Sequence, residues 1–106
     1  LPDEQISEFI RQNCFNSEIS LKMIADRFQV SNKYISVVCK KMFGMTYLQY
    51  IHDKRIARAI DLLRTTDQSI EQIAQAVGYT SLLTFRRNFQ QVTGVNPSLY
   101  REEAKQ

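Results

Sequence analysis

Two stretches of this chain pass through the same signals in the same order, about fifty residues apart. Ile24-Ala25 is matched by Ile73-Ala74 at an offset of 49, and Gly44 and Tyr50 by Gly94 and Tyr100 at an offset of 50. Each copy gives a short helix-spaced apolar run, a break, a Ser suited to cap a helix (Ser31, Ser81), a second run and a glycine suited to end it. A small Ala four residues before each break lets two helices approach closely at a steep angle, and Ile35 or Phe85 closes the unit from the second helix. This is the grammar of a helix-turn-helix, written twice.

Between the copies, residues 46–64 contain no Gly or Pro, open on a Thr able to cap, and are rich in Ile, Leu, Ala, Arg and Lys. The pattern predicts one helix, whose 19 residues span roughly 28 Å. Its apolar residues fall on two flanks. At about 100° per residue, Leu48, Ile51 and Leu62 cluster on one side, with Ile56, Ile60 and Leu63 roughly 120° around. Two flanks predict a strut serving two cores, with Asp53, Lys54, Arg58, Asp61 and Arg64 on the arc that faces solvent or an anionic partner.

The remaining punctuation yields an all-α chain of about seven helices: 3–12, 21–28, 32–43, 46–64, 70–77, 82–93 and 98–103. Two helix-turn-helix subdomains, about 3–45 and 69–103, are thus joined by the long central helix. A length of 106 residues is one domain's worth, and 43% apolar content argues against disorder. No apolar run approaches the ~20 residues of a membrane span and no signal peptide is present, so the expected location is the cytoplasm. A start at Leu1 predicts a fragment of a longer protein. Cys14 and Cys39 are too few for a disulfide framework or a four-ligand zinc site, and predict reduced thiols. The lone His52 has no sequence partners for metal binding and is expected to be an exposed helical histidine. No catalytic residue, metal or cofactor is expected. The five tyrosines are expected in the core or at its rim, which disfavours single-strand binding by base stacking.

Charge is unevenly placed. From Phe28 to Thr66, seven basic residues stand against Asp53 and Asp61, a net of +5, although the whole chain carries only +3. Concentrated positive charge is the electrostatic footprint of nucleic-acid binding. A basic strut docking on an acidic protein surface would also explain the charge, but not the repeat.

Three stretches, ISLKMIADRFQVSNKYIS, GMTYLQYIHDKRIARAIDLL and SIEQIAQAVGYTSLLTFRRNFQQVTGVNPSLYR, make the chain similar over nearly its whole length to the DNA-binding domain of the AraC/XylS family of bacterial transcription regulators. The resemblance implies a seven-helix fold spanning residues 1–106, and two recognition helices that read an asymmetric duplex site in successive major grooves. It implies activation of transcription with RNA polymerase as a partner, and an N-terminal effector or receiver domain elsewhere in the protein. Domains of this kind also occur fused to DNA-repair methyltransferase modules, but the zinc cysteines of such a module are absent here, so no enzyme is expected.

Residue by residue, the resemblance places Lys33, Ser36 and Val37 of the first recognition helix at base-reading positions, with Leu82, Leu83, Thr84 and Arg87 of the second. Lys33 and Arg87 suit guanine O6 or N7, Ser36 several bases, and Val37, where the family commonly has Arg, a thymine methyl. Lys40, Lys41, Arg86 and Gln90 are expected at phosphates, Gln90 standing where Lys is common. The inward faces are expected to be Ile35, Val38, Cys39 and Met42 in the first helix, and Phe85, Phe89 and Val92 in the second. Cys39 replaces a customary aromatic, and Met42 or Tyr47 is expected to fill the space. Burial should keep its thiol protonated.

Overall fold

The computed structural model describes residues 2–105. They form seven helices, α1 (Pro2–Asn13), α2 (Leu21–Phe28), α3 (Asn32–Phe43), α4 (Tyr47–Thr65), α5 (Ile70–Ala76), α6 (Leu82–Thr93) and α7 (Pro97–Ala104), with no strand among the described residues. None of these helices is long and apolar enough to cross a membrane.

Side-chain caps explain the starts. Ser20, Ser31, Ser69, Ser81 and Asn96 each accept a hydrogen bond from the backbone N–H three residues on, opening α2, α3, α5, α6 and α7. Thr46 does the same for α4: its Oγ1 accepts from the Gln49 N–H at 3.1 Å, and Gln49 Oε1 accepts from the Thr46 N–H at 3.0 Å. Ser69 and Gln72 repeat this reciprocal box at α5. Pro97 occupies the first turn of α7, where a missing N–H costs nothing.

The helices form two compact units, one up to Ile51 and one from His52 onward. In the first, Ile6 and Ile10 of α1, Ile24 of α2 and Ile35 of α3 are fully buried, joined by Val38, Cys39, Tyr47, Tyr50 and Ile51. Each such side chain is worth about 1.5–3 kcal/mol when withdrawn from water. Cys39 is buried in the same core as Tyr47, on which half-buried Met42 also packs, and desolvation pushes its thiol up to about 11, so it stays protonated and unreactive. The second core is built from Ile56, Ala59 and Leu63 of α4, Ile73 of α5, Val77, and Phe85 and Phe89 of α6.

Helix α4 therefore divides its apolar residues by position along its length, where flank position had been expected to sort them. Tyr47, Tyr50 and Ile51 go to the first core, and everything from Ile56 onward goes to the second. Leu48 consequently lies 61% exposed, and Leu62 packs on the second core instead of sharing one with Ile51. Val92 is a further correction. It is 49% exposed, and the inward face of α6 consists of Phe85 and Phe89.

The turn between the paired helices is the same in both units. The N–H of Val30 donates to the Ala25 carbonyl at 3.0 Å, and the N–H of Tyr79 donates to the Ala74 carbonyl at 2.9 Å. A left-handed residue is needed just before that donor, since the chain must reverse to return its N–H to the preceding helix. The second unit uses Gly78 (φ 112°), whereas the first uses Gln29 (φ 56°), the one non-glycine residue with positive φ among the described residues. A side chain there costs about 1–2 kcal/mol relative to a right-handed site, offset in part by the lower chain entropy of Gln when unfolded. Replacing Gln29 with Gly is expected to stabilise the protein by about 0.5–1 kcal/mol, raising Tm by a few degrees in thermal unfolding followed by circular dichroism. An unchanged or lower Tm would show that the Gln29 side chain contributes contacts that outweigh the strain.

Candidate nucleic-acid interface

Helix α3 presents two chemistries. Ile35, Val38 and Cys39 point into the first core, which leaves Lys33, Ser36, Val37, Lys40 and Lys41 exposed on its outer side. Helix α6 is divided in the same way. Phe85 and Phe89 are buried, while Leu83, Thr84, Arg86, Arg87 and Gln90 are exposed. Leu82 differs from the others of its group, being half-buried against the second core, so only part of its side chain faces outward. The outer faces of α3 and α6 contain no Asp or Glu. Their N-terminal turns, capped by Ser31 and Ser81, add the positive end of the helix dipole.

An acid from another helix does reach α3. Asp3, in the first turn of α1, accepts from the Tyr34 phenol at 2.6 Å through one carboxylate oxygen, and from the Lys41 ammonium at 3.0 Å through the other. These two partners, Tyr34 first, hold its carboxyl below the usual value, and the same contact raises the Tyr34 phenol. Lys41 is thus an exposed cation with an anion already beside it. The local sequence gave no sign of this pairing, because Asp3 and Lys41 lie 38 residues apart.

The second unit holds a polar node under α6. His52 Nδ1 lies 2.7 Å from the Tyr79 hydroxyl and 3.1 Å from Asn88 Nδ2, and the His52 and Tyr79 rings stack nearly parallel with centroids 5.7 Å apart. The Arg55 guanidinium sits 5.1 Å from the centre of the Tyr79 ring, on a residue only 7% exposed. His52 is therefore not the exposed helical histidine expected from the sequence. Burial, followed by the Arg55 charge, lowers its pKa below 6.5 despite the opposing effect of Asp53. Burial likewise pushes the Tyr79 phenol up to about 12.

Arg101 organises the far end of the same unit. Its guanidinium donates to the carbonyls of Leu63 at 3.2 Å, Gln68 at 2.7 Å and Thr66 at 3.2 Å. Helix α7 thereby fixes the loop that delivers the chain from α4 to α5. Among the described residues no group of His, Cys, Asp or Glu could hold a metal ion.

The helix-turn-helix domain family matches residues 24–103, three quarters of the chain and both of its turns. The chain belongs to the AraC-type helix-turn-helix family. It is 29% identical over 94 residues to the arabinose operon regulatory protein of Escherichia coli strain K12, covering 89% of this chain and 32% of that protein. The C-terminal domain of the two-component response regulator yesN from Fusobacterium nucleatum superposes with a TM-score of 0.85 at 30% identity, over 92% of this chain and 95% of that one. The DNA-binding domain of AdpA, solved in complex with a target DNA, gives a TM-score of 0.87 at 22% identity, over 98% and 93% of the two chains, a likeness of fold. The chain spans only 12% to 30% of the length of three other curated bacterial regulators that it matches. Within this AraC-type frame α3 and α6 are the second helices of the two helix-turn-helix units.

Proposed function

We propose that this domain binds duplex DNA sequence-specifically, inserting α3 and α6 into successive major grooves, as the DNA-reading part of a cytoplasmic transcription activator. The observation that carries the reading is the outer surface of these two helices, which bears Lys33, Lys40, Lys41, Arg86 and Arg87 and no acid of its own. Family membership supports it, as does the DNA bound to the AdpA domain of the same fold. Lys33, Ser36 and Val37 of α3, and Leu83, Thr84 and Arg87 of α6 with the outward part of Leu82, are assigned to base edges. Lys40, Lys41, Arg86 and Gln90 are assigned to phosphates. RNA polymerase and an N-terminal effector or receiver domain belong to the same reading of the whole protein. The alternative, docking of the basic strut on an acidic protein surface, leaves the paired turns unexplained.

Neutralising about five phosphates gives a slope of log K against log[salt] near −4 to −5 on duplex DNA. That slope is expected in fluorescence anisotropy titrations across salt concentration, and a value near zero on every duplex, down to low salt, would discard the DNA reading.

Positioning and reading separate by mutation. Lys40→Ala is expected to weaken binding to a selected site and to random DNA about equally. Arg87→Ala is expected to cost about 1–3 kcal/mol on the selected site and to relax choice at one base pair. Equal losses on both duplexes for the Arg87 variant would make it a backbone contact.

Two different recognition helices in tandem on one chain call for a non-palindromic site, with half-elements about 10 base pairs apart on one face of the duplex. Inserting five base pairs between them turns one half-element about half a turn away. Affinity is then expected to fall to that of a single half-element, and survival of full affinity would mean that only one unit reads DNA.

A further inference from the structure

Helix α6 is held on its buried side by Phe85 and Phe89, whose rings pack at centroid distances of 5.4 to 5.8 Å with Tyr79, with Tyr100 and with each other. Such apolar contacts fix how deep a helix sits, but they have little directional preference and resist a small roll about its axis only weakly. A roll of about 15° moves a side-chain tip ~6 Å from the axis by about 1.5 Å, enough to spoil a bidentate contact to a base. Something directional must set the rotation, and α6 carries one half-buried polar residue able to do so. Asn88, next in sequence to Arg87, places its Nδ2 3.1 Å from Nδ1 of the His52 imidazole, the atom that the Tyr79 hydroxyl also meets.

We propose that His52, Tyr79 and Asn88 form a clasp that sets the rotation of α6, making His52 a positioning residue for the sequence that this helix reads. The proposal rests on α6 reading bases. All three residues lie in the second unit: His52 on α4, Tyr79 in the turn after α5, and Asn88 on α6. The clasp specifies a protonation state. With its Nδ2 turned to the imidazole Asn88 can only donate, so His52 Nδ1 accepts, sharing its one lone pair between the Asn88 N–H and the Tyr79 O–H, and the imidazole is neutral with its proton on Nε2. A proton added at Nδ1 would point its N–H at the Asn88 N–H and break that bond. Tyr79 could adapt by accepting, but Asn88 would have to turn its amide over, releasing its hold on α6.

The groups facing the imidazole keep it neutral near pH 7. Arg55 and Asp53 on α4 oppose one another, Tyr79 from the turn remains a phenol, and Asn88 from α6 does not titrate. With the folded pKa below 6.5, the clasp is intact above that pH and is lost as pH falls through the lower folded value. Sequence reading by α6 therefore weakens on acidification while phosphate binding, carried by Lys and Arg, does not.

The chain has a single histidine, so the test is direct. Nitrogen-15 NMR of the lone imidazole first defines its titration, expected below pH 6.5, and should show the Nε2–H tautomer at neutral pH. Affinities for a selected site and for a random duplex are then measured from pH 7.5 down through that titration for the wild type, His52→Asn and His52→Ala, with circular dichroism reporting folding. The wild-type ratio of the two affinities is expected to fall about tenfold once the imidazole is protonated. His52→Asn, whose Oδ1 takes the place of Nδ1 as an acceptor but cannot titrate, should hold a constant ratio. His52→Ala should have the low ratio at every pH, with random-duplex affinity within about twofold of wild type, and should add little to Arg87→Ala. An Nδ1–H tautomer, a wild-type ratio that stays flat through the titration, or a pH dependence that persists in His52→Asn would overturn the proposal. If His52→Ala does not fold, the wild-type profile and His52→Asn decide alone. A wild type with no preference for any sequence at any pH would defeat the reading of α6 itself, a result distinct from failure of the clasp.

Discussion

Each unit depends on one backbone hydrogen bond, the one that returns the N–H of Val30 or Tyr79 to the carbonyl of Ala25 or Ala74. That bond fixes the left-handed residue before it, and with it the angle at which the second helix leaves. Only then can Ile35 or Phe85 enter the core from the second helix, and only then is the opposite face of that helix turned outward. The donor geometry tolerates Gln29 as well as Gly78, so the backbone conformation is the shared requirement and glycine one way of meeting it. What the two units present outward is set by a few atoms of main chain in each turn.

The features legible in the sequence are those encoded locally. Caps at Ser20, Ser31, Thr46, Ser69 and Ser81 announce themselves within three residues of the N–H they accept from. Glycines at 44 and 94 close their helices in the left-handed region, as the pattern requires. The buried residues of α3, Ile35, Val38 and Cys39, follow from spacing alone. The family resemblance added assignments at Lys33, Val37 and Arg87 that spacing could only describe as outward.

What could not be read was decided by partners far along the chain. A helical wheel treats α4 as a uniform cylinder, but its core changes between Ile51 and Ile56, so Leu48 and Leu62 were grouped with residues they never join. Val92 has suitable spacing, yet it stays half out in solvent and only Phe85 and Phe89 of α6 are buried. His52 looked isolated because its partners are 27 and 36 residues away. The signal that could have found it was the pairing of Tyr79 and Asn88, two groups with hydrogen-bonding capacity on otherwise apolar surfaces. Asp3, the counter-ion of Lys41 on the candidate reading helix, left no local trace either, since 38 residues separate the two.

Helix α4 ends without glycine or a left-handed residue, and the way its last carbonyls are satisfied bears on folding order. Thr65 and Thr66 return their hydroxyls to the carbonyls of Asp61 and Leu62, but the Leu63 carbonyl is met by Arg101, 38 residues downstream. The stop signal for the longest helix is thus completed from the last one. Until α7 has folded back, the final turn of α4 is free to fray, and contacts of such sequence separation form late because closing the intervening chain costs entropy first. Completion of α4 is therefore a closing event of folding in this unit, even though its middle turns are among the easiest to nucleate.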